Sequence, residues 1–93
     1  MEITDVAKAE LGRLRALRVH DNANCLRLVT PPQWAGEGDF GIGIDEVQDS
    51  DYVVEVDGVQ VLLVDWDLAS RLANAVLDFK KVSGVSGFSL DIY

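Results

Sequence analysis

The dipeptide Asp57-Gly58 constrains the fold of this chain more than any other feature of its sequence. It separates two largely apolar runs, residues 52–56 and 59–64, and both of its residues tolerate the positive φ that a two-residue type I′ turn requires. The sequence therefore predicts an antiparallel hairpin. Its expected register is Val56 opposite Val59, Val54 opposite Val61 and Tyr52 opposite Leu63. These six apolar side chains would share one face, and the mixed opposite face could be covered by another layer or by a second subunit.

Helical and strand patterns alternate along the rest of the chain. Thr4 is a suitable N-cap for a helix over residues 5–18, and a second, short helix around Leu68 and Leu72 could be capped by Asp65 or Asp67. The first helix is expected to bury Val6, Leu11, Leu14 and Leu17. Strands are predicted at residues 25–29, 40–45, 76–82 and 88–92, with a turn at 83–87 between the last two. This order predicts one small α+β domain spanning residues 1–93.

The net charge of −8 is distributed unevenly along these 93 residues. Residues 1–30 carry +1 and residues 68–93 carry +1, whereas residues 31–67 hold ten acids and no base and so contribute −10. An acidic centre repels phosphate, which argues against binding to nucleic acid or to an anionic membrane. No apolar stretch approaches the roughly 18 residues of a membrane helix. We expect a cytoplasmic protein.

Candidate ligands and catalytic groups are few. Cys25 is the one cysteine, so these residues cannot form an internal disulfide, and a thiol within a strand is usually a small packed side chain. A group of acids, Asp45, Glu46, Asp49 and Asp51, could collect a hard cation, although its spacing lacks the glycine and terminal glutamate of an EF-hand. No nucleophile lies beside a base in a pattern that predicts an enzyme.

The order of several short segments resembles the HesB-like domain of A-type, IscA-like iron–sulfur carriers. The segments that carry this resemblance are Ile3-Thr4-Asp5-Val6-Ala7, Leu26-Arg27-Leu28, Phe40 to Asp45, Tyr52 to Val59, Leu68 with Leu72, Leu77-Asp78-Phe79, and Ser86 to Leu90. The resemblance covers nearly the whole chain. It implies a small α+β fold with a distorted β-sandwich, an N-terminal helix and one short internal helix.

The same resemblance implies a cluster held by three cysteines, and here the sequence departs from the family. One family cysteine lies in a loop just after the Leu-Arg-Leu strand, but residues 30–36 of this chain contain none. The other two form a Cys-Gly-Cys, and the sequence reaches Tyr93 without one. Because cluster iron needs several thiolates, we expect no cofactor and no catalysis, and a protein that acts through protein contacts. The alternative is a metal-binding protein that uses Cys25 or the acidic residues within an oligomer.

Trp34 lies in the Pro-Pro loop that replaces the ligand loop of the resembled family. A loop tryptophan either folds over the sheet or serves as an anchor for a partner, since aromatic side chains carry much of the energy of interfaces. We therefore name Trp34 as a candidate partner contact. A homodimer is also left open by the mixed face of the hairpin.

Overall fold

Two mixed β-sheets and two helices make up the part of the chain that the computed structural model describes, residues 1–21, 23–31 and 40–92. The elements in chain order are β1 (Glu2–Ile3), α1 (Asp5–Arg18), β2 (Asn24–Val29), β3 (Gly41–Glu46), β4 (Asp51–Val56), β5 (Val59–Asp65), α2 (Trp66–Arg71), β6 (Ala75–Val82) and β7 (Val85–Ile92). Neither helix among these elements is long and apolar enough to cross a membrane. The predicted α+β class, with an N-terminal helix and one short internal helix, is confirmed.

The larger sheet has the strand order β3-β2-β5-β4, and the smaller has the order β1-β6-β7. Each sheet contains one parallel pair, β2 with β5 and β1 with β6, and its other pairs are antiparallel. Helix α1 packs against strands of both sheets, so the two sheets share one hydrophobic core. The fully buried side chains of that core include Leu11, Leu26, Leu62 and Leu77.

Helix α1 has the predicted bounds but turns a different face to the core. The Thr4 side chain accepts a hydrogen bond from Ala7 N at 3.2 Å, which confirms it as the N-cap. Ala7 and Leu11 are buried, whereas Val6 and Leu17 are 56% and 59% exposed, so their predicted burial is wrong. Ala7 lies four residues before Leu11 on one helical face, and its small side chain allows the helix to approach the sheets closely.

The β4–β5 hairpin has the predicted turn and only part of the predicted register. Asp57 and Gly58 have φ values of 53° and 80°, and Val56 lies opposite Val59. The register then shifts between Val54 and Glu55. Beyond the shift the pairs are Val54 with Leu62, Val53 with Leu63 and Tyr52 with Val64, so the predicted pairs of Val54 with Val61 and Tyr52 with Leu63 are wrong.

The register shift has a physical cause in the sequence of β5. Its residues 61–64 are apolar and all lie in the interior, at 0 to 2% exposure. A bulge adds a residue to one strand and re-aims the side chains beyond it, so Val61 and Leu62 both reach the core. The face that carries Leu62 and Val64 is therefore covered within the chain.

The β6–β7 hairpin is longer than predicted because its turn is shorter. Ser83 and Gly84 form a two-residue turn with φ values of 52° and 80°, in place of the predicted five-residue turn. Strand β7 consequently begins at Val85, and its register with β6 runs from the Val82–Val85 pair to the Ala75–Ile92 pair without interruption. The capping prediction for the short helix is confirmed at Asp65, which accepts a hydrogen bond from Asp67 N.

Candidate functional site

The most heavily connected polar group among the described residues is the guanidinium of Arg27, in the middle of β2. Alternation along the strand places Leu26 and Leu28 in the hydrophobic core and turns Arg27 to the opposite face of the sheet. Arg27 is only 9% exposed. A buried charge must be paired, because removal from water is costly for an isolated ion.

Asp51 at the start of β4 supplies that pairing. Its Oδ1 and Oδ2 accept hydrogen bonds from the two terminal nitrogens of Arg27 at 2.6 and 2.7 Å. The Asp51 side chain is 1% exposed and also accepts a hydrogen bond from Gln48 N at 2.7 Å. This bidentate geometry is the strongest arrangement available to a guanidinium and a carboxylate.

Two further groups of β3 lie against the same guanidinium. Asp45 Oδ2 lies 3.0 Å from Arg27 Nε, and the backbone carbonyl of Glu46 accepts a hydrogen bond from the Arg27 guanidinium at 3.0 Å. Arg27 therefore joins β2 to residues of β3 and β4, which form the two outer strands of the larger sheet. The hydrogen bond from Arg27 lowers the pKa of Asp51, and the bond to Asp51 raises the pKa of Arg27, so both groups stay charged at neutral pH.

A cleft of about 410 Å³ opens beside this network. Leu28 and Leu68 contribute apolar surface to its lining, and Asp65, the N-cap of α2, and Arg71, the last residue of α2, contribute charged groups. The remaining lining residues are Arg27, Val29, Thr30, Asp45, Gln48 and Asp51. Thr30 is also the first residue of the segment 30–36 that lacks the family's first cysteine.

Cys25 lies two residues before Arg27 on the same side of β2, and its thiol is enclosed. The residue is 1% exposed, and Sγ donates a hydrogen bond to Gln60 O at 3.5 Å. Burial raises the pKa of the Cys25 thiol, an effect that the nearby Arg15 and Arg27 only partly oppose. The thiol is therefore protonated at neutral pH and is not presented to an incoming metal ion.

Known structures share this arrangement of helices and strands. The chain matches a crystal structure of Escherichia coli SufA, described as involved in biosynthesis of iron–sulfur clusters, with a TM-score of 0.66 and 20% identity over 98% of this chain and 83% of that one. It matches a solution structure of a protein from Aquifex aeolicus with a TM-score of 0.66 and 24% identity, over 100% of this chain and 91% of that one.

A third match is a crystal structure of IscA with a [2Fe-2S] cluster, with a TM-score of 0.55 and 17% identity over 98% of this chain and 80% of that one. The chain has an IscA/HesB-like fold. This confirms the fold that the sequence resemblance implied. No protein-family profile matches the chain, and a search of characterised proteins finds no match.

The described residues of this IscA/HesB-like chain do not fit an iron–sulfur cluster. A cluster is held by several thiolates, and Cys25, the one thiol in the sequence, is buried, protonated and bonded to a carbonyl. No three His, Cys, Asp or Glu side chains within the described ranges are placed to share a metal ion. Of the acids that the sequence grouped as cation ligands, Asp45 and Asp51 converge on Arg27, whereas Glu46 and Asp49 are exposed.

Trp34 falls outside the described residues, so its assignment as a partner contact stays a prediction. Sequence reasoning missed the role of Arg27, which it did not single out as a site residue. The one available signal was strand alternation, which turns Arg27 to the face opposite Leu26 and Leu28 and calls for an acidic partner only where that face is covered. The identity of that acid depended on how β4 folds back, which the sequence pattern did not determine.

Proposed function

We propose that this protein takes part in iron–sulfur cluster assembly through contacts with other proteins, without catalysing a reaction and without holding a cluster on its own cysteine. The observation that carries the proposal is the Cys25 thiol, which is 1% exposed within a fold otherwise like those of SufA and IscA. A protein that has this fold but no accessible thiolate can still act through contacts that its surface makes with other proteins.

The Arg27 network supports the same role. A buried bidentate pair restricts the relative positions of the strands that it joins, because breaking it leaves a charge uncompensated in the interior. Arg27 and Asp51 hold β2 to the first residue of β4 at the cleft, whose lining also includes Thr30. The network thus fixes the relative positions of these two strands at the cleft.

Anaerobic reconstitution tests the cluster-free part of the proposal. The full chain is incubated with ferrous iron, sulfide and reductant, desalted, and assayed for visible absorbance and for iron and sulfide content, beside a Cys25→Ser variant. We expect no stoichiometric chromophore in either protein. A chromophore that survives desalting in the wild type and is lost in Cys25→Ser would overturn this part of the proposal and favour metal binding through Cys25.

A transfer assay tests the part that concerns assembly. A purified IscA-type carrier loaded with a [2Fe-2S] cluster donates to an apo-ferredoxin while the present protein is added in increasing amounts. We expect a change in transfer rate that saturates near one equivalent, with no cluster absorbance moving to the added protein. Transfer that stays unchanged at a large excess, together with no detectable binding to the carrier, would contradict the proposal.

A further inference from the structure

Trp66 and Tyr52 form an exposed aromatic pair at the point where β5 leads into α2. Their ring centroids are 6.2 Å apart, and their ring planes are tilted by 46°. Trp66 is 58% exposed and Tyr52 is 41% exposed. The backbone beneath the rings is fixed, because Tyr52 lies within β4 and Trp66 N donates a hydrogen bond to Ser50 O at 3.0 Å. Two large rings are therefore held on rigid elements with much of their surface in water.

Helix α2 has a different cavity on each side. Leu68 and Arg71 line the cleft beside Arg27. On the other side of the helix lies a pocket of about 190 Å³, which we call the Trp66 pocket. The residues that line it are Met1, Tyr52, Trp66, Ala69, Ser70 and Ala73. Residues three or four apart share a helical face, which explains why the two cavities share no lining residue of α2.

The size and lining of the Trp66 pocket suit a single side chain. Pockets for small-molecule ligands are typically about 300–1,000 Å³, and this pocket is smaller. Its lining side chains are a thioether, two aromatic rings and three small groups, and none of them carries a charge. Since the small side chains of Ala69, Ser70 and Ala73 cannot cover the rings, an occupant of the pocket would contact aromatic surface.

The surroundings of the Trp66 pocket favour a cationic occupant. Both rings belong to residues 31–67, the segment that holds ten acids and no base. Asp65 and Asp67 flank Trp66 in the chain and are exposed. The face of an aromatic ring attracts a cation, and tryptophan attracts it most strongly. The amino group of Met1 lies beside the pocket and donates to a backbone carbonyl at 3.4 Å, but its exposure to water weakens its repulsion of another cation.

Arginine suits this pocket better than lysine does. Its planar guanidinium stacks on aromatic faces and is more weakly hydrated than an ammonium group, so less hydration is lost when it leaves water. Its aliphatic stem can lie along apolar surface while the charged end stays near water. An arginine side chain therefore matches both the uncharged lining of the Trp66 pocket and its acidic surroundings.

We propose that the Trp66 pocket is a docking site for an arginine side chain carried by a basic segment of a partner protein. The guanidinium stacks on the Trp66 ring, and the basic residues around it meet the acids of residues 31–67. This proposal rests on the proposed function only in taking contacts with other proteins as the mode of action. It does not require that the partner belong to iron–sulfur cluster assembly.

A titration followed by NMR tests the docking site directly. The probe is a short synthetic peptide of alternating arginine and glycine, and the control is the same peptide with citrulline, which resembles arginine in shape and has no charge. The full-length protein has two tryptophan indole N–H signals, which a Trp34→Phe variant assigns to Trp34 and Trp66. We expect the Trp66 signal to shift with a millimolar dissociation constant, and the citrulline peptide to bind about tenfold more weakly. Equal binding of the two peptides, or no saturable shift of the Trp66 signal up to about 10 mM peptide, would show the proposal to be wrong.

Substitutions of Trp66 separate docking from a general attraction to an acidic protein. Trp66→Leu removes the aromatic face and leaves every charge in place, whereas Trp66→Phe keeps a ring. We expect Trp66→Leu to weaken binding of the arginine peptide about fivefold, and Trp66→Phe to weaken it less. Because this side chain is 58% exposed, both variants should fold, which their amide spectra would show. An unchanged dissociation constant in Trp66→Leu would contradict docking on the ring.

Two acids of the chain provide a matched charge control. Asp67 follows Trp66 directly, whereas Asp57 lies in the turn at the far end of the β4–β5 hairpin. Asp67→Asn and Asp57→Asn change the net charge equally, and asparagine tolerates the positive φ of residue 57. Exposed charges more than about 10 Å apart are screened at about 0.1 M salt, so Asp67→Asn should weaken binding about twofold and Asp57→Asn hardly at all. Equal weakening by the two substitutions would mean that the peptide binds elsewhere on the acidic surface, against the proposal.

The peptide titration and the cluster-transfer assay fail independently of each other. A peptide that does not bind would remove the Trp66 pocket as a docking site, whatever the transfer assay shows. Unchanged cluster transfer would contradict the role in assembly, while a titration that distinguishes arginine from citrulline and wild type from Trp66→Leu would still support the docking site.

Discussion

The two hairpins of this chain have the same turn chemistry and different surroundings. Each turns on two residues with positive φ, Asp57-Gly58 in one and Ser83-Gly84 in the other. The β4–β5 hairpin shifts its register, because β5 is buried along residues 61–64, whereas the β6–β7 hairpin keeps one register along its full length. A turn therefore determines the first pair of residues, and packing determines whether the register continues.

The charged pairs that involve these two hairpins also differ in how deeply they are buried. Asp51 of β4 and Arg27 are nearly enclosed, with side chains that are 1% and 11% exposed. Lys80 of β6 and Asp91 of β7 are 53% and 51% exposed and 3.8 Å apart. The first pair is part of the interior, and the second is a solvated surface pair.

Neutralising the acid of each pair should give the largest difference in unfolding free energy between the two hairpins. We expect Asp51→Asn to lower the free energy of unfolding by about 3–5 kcal/mol, because the Arg27 charge is left buried without its main partner. The matched Asp91→Asn change should cost about 0–1 kcal/mol, since exposed pairs contribute little. Urea unfolding of the two variants and the wild type measures both. Equal losses in the two variants would contradict the difference between the hairpins.

Much of the fold could be predicted because local signals were strong and agreed with one another. Thr4 and the amphipathic pattern after it determined where α1 begins, and Asp57-Gly58 located the hairpin. The predictions that are wrong concern features that depend on tertiary packing. The bulge near Val61 depends on burial on both faces of β5, and the exposure of Val6 depends on how the helix sits on the sheets.

The candidate site was predicted less well than the fold. The burial of Cys25 was expected from its position in a strand, because a lone thiol packs as a small apolar side chain. The partners of Arg27 come from segments 18 to 24 residues away in sequence, and no local pattern states which acid will reach a buried arginine. Asp45 and Asp51 therefore resembled ligands for a cation until the structure placed a guanidinium between them.

Replacement of either turn glycine by alanine should lower the free energy of unfolding by a similar amount, because the two turns have the same backbone geometry. Gly58 and Gly84 both have φ of 80°, and a Cβ at either would meet no atom within 4 Å. Replacement of either by alanine should therefore cost only the strain of a left-handed backbone, about 1–2 kcal/mol. Urea unfolding of Gly58→Ala and Gly84→Ala should give losses of similar size, and a large difference would show that the two turns are not equivalent.

The smallest expected effect is on the pH dependence of stability. The pKa of Asp51 is lowered in the folded protein by its hydrogen bond to Arg27, so its contribution is present above its unfolded pKa, about 4, and is lost as the pH falls through its folded pKa. The difference in unfolding free energy between the wild type and Asp51→Asn should therefore shrink as the pH falls below about 4. A difference that stays constant down to the acid transition would contradict this assignment.

The central claim is that Cys25 is a packed interior residue in an IscA/HesB-like fold and not a ligand. Because it is the one thiol in the sequence, its reaction with a thiol-specific reagent at neutral pH reports on this position alone. The account predicts that native protein reacts far more slowly than urea-unfolded protein, and that the rate rises with the population of unfolded chain. Native protein that reacts as fast as the unfolded chain would contradict it.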